Sequence, residues 1–474
     1  MDKIIKNGTI ITSIDNYKAD IGIKDGKIKA IAEDLSPDNN TEIIDAQGLY
    51  VMPGGIDVHV HLELPFCGTV SKDDFENGTK AAACGGITTV IDYAIQQKGN
   101  SVLQTVKDRQ NQADGKVSID YSLHAGITDW KTASKEIEDL VRHGITSFKM
   151  FMVYKDMGWM ADDGDLLQAL ETTVKTGTML MVHAENDFAI SMLSEKYLPS
   201  KKDLGAYGDI LSRPDYTEYE AISRAILWSK VTGGRLYIVH MSTSDGANAV
   251  MHAQNEGVNV YAETCPHYLL LDESLVKEVN GHLYTPSPPL RKEKDRNRLW
   301  KGIQDHTIEV IGTDTCTFDT HQKALWEGDF KKLPFGLPGL ETMIPIIHQY
   351  GVLKKRITLN RLVQLCSTNP AKLFGLYPQK GAIAIGSDAD IIIFDPEHER
   401  IVKSDELQSN SDWSPYEGYR LKGWPVLTIS RGKIVSKNCK YVGNKSHGRF
   451  IPRKTVGMDS YLNYTKTISV PTYV

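Results

Sequence analysis

The chain has 474 residues, of which 41% are hydrophobic and 24% charged, and its formal net charge is −6 at pH 7. This balance excludes a strongly basic nucleic-acid-binding surface. No apolar run reaches the roughly 18 residues of a membrane helix, and the first residues lack the apolar core of a signal peptide. Six cysteines without CxxC spacing argue against a disulfide framework or a cysteine zinc site. We therefore expect a cytoplasmic protein that binds neither nucleic acid nor membrane.

Both ends of the chain have the pattern of short β-strands. Isoleucine-rich stretches separated by turn pairs such as Asn7-Gly8 fill residues 1–52, and similar stretches return in residues 380–440. A piece as small as the first is hard to stabilise by itself. We predict that the two ends close into one β-sandwich, with residues 53–379 inserted between them.

The last residues, 441–474, include the run Gly448-Arg449-Phe450-Ile451-Pro452-Arg453-Lys454. We predict an extended arm that packs at a subunit interface. A free, disordered tail is the alternative.

Between the two ends, eight apolar β-rich runs alternate with helix-length segments such as Asp165–Thr176 and Glu218–Val231. This alternation indicates a parallel sheet, and eight units suit a TIM-like (β/α)8 barrel, so the predicted fold class is α/β. An open doubly wound sheet is the alternative, but it would need a nucleotide fingerprint, and the sequence has no GxGxxG or Walker motif. The predicted strands are Ile56–Leu62, Gly86–Tyr93, Ile119–Ile127, Ser147–Val153, Thr178–Ala184, Leu236–Met241, Asn259–Cys265 and Glu309–Asp314.

Two histidines stand two residues apart on the first barrel strand. Side chains alternate along a strand, so His59 and His61 point to the same face. Imidazole nitrogens at this spacing suit a divalent metal such as zinc. An HxH pair by itself can equally line one face of a strand, so the interpretation depends on ligands from other strands.

Further polar groups lie at other strand ends, where the chemistry of such barrels is located. The fourth strand carries Lys149 inside an apolar run, the fifth and sixth end in His183 and His240, and the eighth ends in Asp314. Each has an ordinary explanation, such as a hydrogen-bonded core histidine or an aspartate that caps the next helix. Four histidines and an aspartate at one barrel mouth predict a metal site.

A lysine in an apolar strand needs a role that is consistent with its charge, because lysine is almost never buried unpaired. Burial and nearby cations both lower the pKa of a lysine and free its amine as a nucleophile. Such an amine can add carbon dioxide and become a carbamate that bridges two metals. A structural salt bridge between Lys149 and Asp314 is the alternative.

The chain resembles the dihydropyrimidinases and hydantoinases, cyclic amidohydrolases of the metal-dependent hydrolase superfamily, over nearly its whole length. The blocks that carry the resemblance are Ile5-Lys6-Asn7-Gly8, Pro53 to His61, Ala83-Cys84-Gly85-Gly86-Ile87-Thr88-Thr89, Ser147-Phe148-Lys149, Val182-His183-Ala184-Glu185-Asn186, Ile238-Val239-His240, Glu263-Thr264-Cys265-Pro266, Ser287-Pro288-Pro289-Leu290-Arg291, and Lys380-Gly381 to Asp390.

The resemblance implies two divalent metal ions, with zinc expected and manganese, cobalt or iron as alternatives. It assigns His59, His61 and Asp314 to the inner ion and His183 and His240 to the outer one. A carboxylated Lys149 and a hydroxide would bridge the two ions. It further implies substrate contacts from Tyr154 and Ser287, and a homotetramer.

The expected reaction is hydrolytic ring opening of a cyclic amide, either a 5,6-dihydropyrimidine such as dihydrouracil or a 5-substituted hydantoin, to an N-carbamoyl amino acid. The metal-bridging hydroxide would attack the ring carbonyl, while Tyr154 stabilises the oxyanion. Asp314 would accept the proton and return it to the leaving nitrogen. Allantoinase, dihydroorotase and a non-enzymatic assembly protein related to dihydropyrimidinase are the alternatives.

Two departures from the family pattern bear on substrate choice. Phe335 replaces the usual asparagine of a Pro-Asn-Gly-x-Pro-Gly loop, where the family binds substrate largely through the main chain. Thr315-Cys316-Thr317-Phe318 replaces His-Cys-Pro-Phe after Asp314. In addition, Phe66, Met157 and Trp159 predict an apolar lining for the ring substituent.

Overall fold

The computed structural model describes residues 1–444 and 446–456 of the chain. Eight parallel strands form its central sheet, and each overlaps one of the eight runs predicted from the sequence. We label them in chain order β1 (Gly55–Val60), β2 (Ile87–Ile95), β3 (Asp120–Gly126), β4 (Ser147–Phe151), β5 (Met179–His183), β6 (Leu236–Ile238), β7 (Val260–Thr264) and β8 (Val310–Ile311).

The eight strands pair in parallel in their chain order, from β1 to β8. The ring closes between β1 and the segment after β8, where Val60 and Thr315 form a parallel bridge. The backbone N–H of His61 donates to the Thr315 carbonyl oxygen there at 2.8 Å. A doubly wound sheet would instead reverse its strand order at a switch point. The barrel prediction is therefore confirmed.

Helices connect the barrel strands. The predicted Asp165–Thr176 becomes Asp163–Thr176, because Asp162 caps the helix through a capping box, and Gly177 ends it in the left-handed conformation at φ 67°. None of the helices in the described ranges is long and apolar enough to cross a membrane. The α-helices are Phe75–Cys84, Val102–Ala113, Trp130–Ala133, Ile137–Arg142, Asp163–Thr176, Asp187–Tyr197, Lys201–Leu204, Tyr207–Ser212, Asp215–Thr232, Ser244–Asn255, Pro266–Leu270, Glu293–Gln304, Thr320–Lys323, Met343–Ile347, Leu359–Val363 and Asn369–Leu373.

Both chain ends build a β-sandwich, as predicted. Strand Tyr50–Pro53 pairs antiparallel with Ile391–Ile401, and the shared core includes Ile5 and Ile21 from one end and Ile429 from the other. One sheet has the order Lys27–Ala32, Asp20–Lys24, Lys3–Lys6 and Glu42–Asp45. The other has the order Lys440–Tyr441, Lys433–Lys437, Arg420–Ser430, Ile391–Ile401, Tyr50–Pro53, Thr9–Ile11 and Asn16–Lys18. A small hairpin, Pro65–Phe66 with Thr69–Val70, follows β1.

The described end of the chain packs on the barrel of its own subunit. Phe450 forms a parallel bridge with Tyr121, and the buried Arg453 donates hydrogen bonds to Ser122 Oγ at 3.0 Å and Ser147 Oγ at 2.8 Å. The remainder of the predicted arm, residue 445 and residues 457–474, lies outside the described residues. Its place at a subunit interface stays a prediction.

Candidate active site

The side chains predicted to bind metal converge at the C-terminal end of the barrel, because parallel strands end on the same side. Lys149 lies in β4 and His183 is the last residue of β5, while His240 follows β6 by two residues and Asp314 follows β8 by three. His59 lies in β1, and His61 follows it. The structure thus brings together all six residues.

Asp314 lies beside both histidines of the first strand. Its Oδ1 is 3.1 Å from His59 Nε2 and 3.2 Å from His61 Nε2. Ligand atoms of Asp314, His59 and His240 all lie within 4.8 Å of one another, and the His240 ring centroid is 4.5 Å from that of His183. Donor atoms this close together can share one or two small cations.

Lys149 is enclosed by aromatic and imidazole rings. Its Nζ is 3.0 Å from His59 Nε2 and 4.4 Å from the centroid of the Tyr93 ring. Burial lowers the pKa of Lys149 to about 8, although Asp314 and Glu263 oppose this shift. No salt bridge joins Lys149 to Asp314 in the described part of the chain, whose ion pairs with Asp314 come from the histidines. The amine is therefore neutral in a much larger fraction near neutral pH than that of an exposed lysine.

Burial also determines the charge of the other ligating groups. It lowers the pKa of His59, His183 and His240, and the neighbouring Lys149 lowers it further. These imidazoles are therefore neutral, which is the form that binds metals. Burial alone would raise the pKa of Asp314, but His59 and His61 hold it well below its usual range. The site thus combines neutral nitrogen donors with an ionised carboxylate.

Two buried glutamates orient the histidines from behind. Glu263 is hydrogen-bonded to His59 Nδ1 and accepts a hydrogen bond from the Tyr237 hydroxyl at 2.8 Å. Glu185 Oε2 is 2.7 Å from His183 Nε2. A carboxylate that accepts the N–H of one ring nitrogen fixes the tautomer of the imidazole. The other ring nitrogen then has a free lone pair that can bind a metal ion in the site. Both glutamates are fully buried, and no role was assigned to them from the sequence.

Among the residues that the structure describes, three buried ring nitrogens of the predicted metal ligands have no hydrogen-bond partner. They are both ring nitrogens of His240 and Nδ1 of His61. Buried polar atoms are almost always satisfied, and each exception needs an explanation. Unpartnered nitrogens beside an ionised carboxylate fit a site that is built for divalent cations.

The groups predicted to contact substrate line the same cavity as the predicted metal ligands, with the Tyr154 ring centroid 5.2 Å from that of His183. The Tyr154 hydroxyl is 2.7 Å from Ser287 Oγ, and burial raises the pKa of Tyr154, so it remains an O–H donor. Arg213 Nη1 donates to Ser287 Oγ at 2.9 Å and to Glu185 Oε2 at 2.7 Å. The Arg213 guanidinium lies 4.9 Å from the centroid of the Phe335 ring. Arg213, which sequence reasoning missed, therefore links the substrate side to the carboxylate behind His183.

One cavity is lined by both the predicted ligands and the predicted substrate contacts, including Lys149, Asp314, Tyr154, Ser287 and Phe335. Phe66 and Trp159 also line it, with their rings stacked at a centroid distance of 5.9 Å. Met157, which was predicted with them, lies instead on a neighbouring outer cavity. The apolar lining thus combines aromatic rings with the aliphatic side chains of Leu64 and Ile95.

Three residues of the site adopt a left-handed backbone conformation that non-glycine residues rarely use. The φ angles are 67° at Tyr154, 38° at His240 and 50° at Asp314. Such conformations cost on the order of 1–3 kcal/mol each and cluster at functional sites. The backbone is therefore strained at these strand ends, where the three side chains are positioned.

Known proteins were compared with the chain. The model of the amidohydrolase family matches residues 50–435. A D-hydantoinase of Geobacillus stearothermophilus is 43% identical over 464 residues, which cover 96% of this chain and 98% of the relative. A D-hydantoinase of Ralstonia pickettii is 42% identical over 459 residues, which cover 96% of this chain and 99% of the relative. The crystal structure of a dihydropyrimidinase from Brevibacillus agri superposes with a TM-score of 0.94 at 40% identity, covering 96% of this chain and 100% of that one.

These matches span the barrel, the sandwich and every residue of the site. The amidohydrolase family is metal-dependent, in agreement with the unpartnered imidazole nitrogens described above. The chain therefore belongs to the amidohydrolase family, and within it to the group of hydantoinases and dihydropyrimidinases.

Proposed function

We propose that this protein opens the ring of a cyclic amide by hydrolysis, either a 5,6-dihydropyrimidine such as dihydrouracil or a 5-substituted hydantoin, and releases an N-carbamoyl amino acid. The observation that carries the proposal is one cavity lined both by predicted metal ligands, among them His183, His240, Asp314 and Lys149, and by Tyr154 and Ser287. The names of the relatives, D-hydantoinase and dihydropyrimidinase, support this substrate class.

The donor set fits two divalent cations, with zinc the metal that suits its imidazole and oxygen ligands. His59, His61 and Asp314 would hold one ion, and His183 and His240 the other. The neutral amine of Lys149 would add carbon dioxide, forming an N–C bond and releasing a proton. The resulting carbamate would be an anion with oxygen atoms able to bind the metal ions.

When bound, the two cations would lower the pKa of a shared water, so that hydroxide is available near neutral pH. The ionised Asp314 accepts a proton from the attacking oxygen and returns it to the ring nitrogen as the C–N bond breaks. The Tyr154 hydroxyl donates a hydrogen bond to the carbonyl oxygen as negative charge develops on it. Ser287 holds the Tyr154 hydroxyl in place through a hydrogen bond and would contact the ring of the substrate.

The cavity itself argues against dihydroorotase chemistry. A substrate with a free carboxylate needs a cationic clamp, and Lys149 is the one cationic side chain among the described residues that line the cavity. Carboxylation would convert that lysine to an anion. An assembly protein without activity is not favoured either. Each of the six positions expected to bind metal carries a residue that can act as a metal ligand.

The purified, zinc-loaded protein should hydrolyse dihydrouracil and hydantoin and should contain two metal ions per chain. Asp314→Asn keeps the size of the side chain and should abolish turnover. Metal content is measured for the parent and for Asp314→Asn. This measurement separates activity lost with the metal from activity lost with the Asp314 carboxylate as the base. Preferred turnover of dihydroorotate or allantoin, or full activity of metal-loaded Asp314→Asn, would contradict the proposal.

A homotetramer and a cytoplasmic location stay predictions. The first can be measured by light scattering on the full chain. The second is consistent with the six cysteines, all of which are unpaired thiols and five of which are buried.

A further inference from the structure

One buried lysine has no part in the proposed mechanism. Lys323 is the last residue of the helix Thr320–Lys323, and 0% of its surface is exposed. Its hydrogen-bond partners in the described part of the chain are neutral oxygens rather than a carboxylate. Lysine is rarely buried without an ionic partner, because removing an ammonium group from water costs free energy. The place of this amine therefore has to be explained by the groups that it holds together.

The amine of Lys323 joins two loops, which we call the serine loop (residues 285–287) and the phenylalanine loop (residues 334–336). Its Nζ donates to the Pro334 carbonyl oxygen at 2.7 Å, and to Oγ1 and the carbonyl oxygen of Thr285 at 3.2 and 3.5 Å. An ammonium group has three N–H donors, which match these three oxygens. The backbone N–H of Gly336 also donates to the Thr285 carbonyl oxygen, at 3.0 Å. The two loops are thus linked directly and through Lys323.

Both loops line the catalytic cavity. Ser287 does so from the serine loop, and Phe335 and Gly336 from the phenylalanine loop. Gly336 packs so closely on the segment after Asp314 that an added Cβ would lie 2.2 Å from the Cys316 carbonyl oxygen. The spacing of the two loops therefore affects the shape of the cavity.

The serine loop has a second anchor. Ser287 Oγ receives a hydrogen bond from Arg213 at 2.9 Å and lies 2.7 Å from the Tyr154 hydroxyl. These contacts do not involve Lys323. Loss of the Lys323 amine would therefore act chiefly on the phenylalanine loop and leave the Tyr154 hydroxyl in place.

We propose that Lys323 is a positioning residue for the substrate: its amine fixes the phenylalanine loop against the serine loop and so sets the shape of the cavity that receives the cyclic amide. The inference rests on the proposed function. Among the described residues that line the cavity Lys323 is absent, so it acts through the loops and not on the reacting atoms.

Lys323→Met keeps the aliphatic stem of the side chain and removes its three donors. KM for dihydrouracil and hydantoin should rise about tenfold, since a hydrogen bond from a charged donor is worth about tenfold or more in an equilibrium constant. The value of kcat should stay within about threefold of the parent, because Tyr154 keeps its contact with Ser287. A higher KM at constant kcat marks the loss of substrate binding, whereas a purely structural role would lower stability and leave KM unchanged. Metal content should equal that of the parent.

Two further variants isolate the effect of the amine. Thr285→Val keeps the branched shape and removes one acceptor, so it should raise KM by about two- to threefold in the parent and by less in the Lys323→Met background. Lys72→Met is the matched control. It removes an ammonium group that lies 2.9 Å from Asp319, the residue that caps the same helix, and should leave KM unchanged.

Denaturant titration establishes that each variant is folded under the assay conditions. A KM for Lys323→Met within twofold of the parent, or an equal rise in KM for Lys72→Met, would overturn the inference. If Lys323→Met does not fold, Thr285→Val decides, and an unchanged KM in that variant would overturn it. A metal-loaded parent that hydrolyses neither substrate would instead refute the proposed function.

Discussion

Replacing Tyr154 by phenylalanine tests the assignment of the oxyanion donor. The ring keeps its contacts with Phe66 and Trp159, whose centroids lie about 6 Å away, and only the hydroxyl is lost. Removal of one donor to a developing oxyanion costs about 100- to 1,000-fold in kcat, or roughly 2.7–4 kcal/mol. We therefore expect kcat for dihydrouracil and hydantoin to fall in that range.

The same change should cost little stability, because Ser287 Oγ keeps its hydrogen bond from Arg213 at 2.9 Å. Loss of one hydrogen bond of this kind is worth about 1 kcal/mol in the free energy of unfolding. Tyr121→Phe is the control, since it removes a hydroxyl bonded to Asp114, remote from the site. Steady-state kinetics and denaturant titration measure both quantities. A kcat within threefold of the parent, or an equal loss in Tyr121→Phe, would refute the role of Tyr154.

Three further predictions concern groups around the site. After removal of metal by a chelator, zinc should restore activity only when carbon dioxide is supplied as bicarbonate. At equal concentrations of dissolved carbon dioxide, recovery should be faster at about pH 9 than at pH 7, because the neutral fraction of Lys149 rises through its pKa of about 8; recovery independent of bicarbonate would contradict carboxylation. Glu263→Gln replaces the carboxylate behind His59 by a neutral amide and should lower zinc affinity about 10- to 100-fold in a competition titration. Unchanged affinity would exclude a role of Glu263 in orienting His59. The buried Lys323, which donates to the Pro334 carbonyl oxygen at 2.7 Å, has its pKa lowered by burial from 10.5 to about 7. The unfolded chain therefore binds more protons between pH 7 and 10, and the stability of the parent relative to Lys323→Met should rise with pH by up to about 1.4 kcal/mol per unit; denaturant titrations giving a flat or falling difference would be inconsistent with it.

The barrel could be predicted from the sequence because each strand is a short apolar run between helix-length segments, and both signals are local. The strand ends were predictable for the same reason: once β5 and β6 are identified, His183 and His240 must lie on the same side. Boundaries shifted by one to three residues where capping decides them, as at Asp162.

The residues that hydrogen-bond to the metal ligands and to the substrate-contacting groups could not be predicted in the same way. Glu263 lies on β7, 204 residues from His59 in the chain, and Arg213 precedes a helix and meets Ser287 74 residues later. Their contacts depend on how strands and loops pack, which no local pattern records. A buried charged residue next to a predicted strand end was the available signal for both glutamates.

The structure also shows why these partners matter to each other. Arg213 is 7% exposed, and the same Nη1 reaches both Glu185, which orients His183, and Ser287, which holds the Tyr154 hydroxyl. A guanidinium offers several donors in a fixed plane, so the position of one partner constrains that of the other. The Glu185 carboxylate and the hydroxyls of Tyr154 and Ser287 are therefore positioned relative to one another by one cation, although they come from the segments after β5 and β4 and from the loop at Ser287.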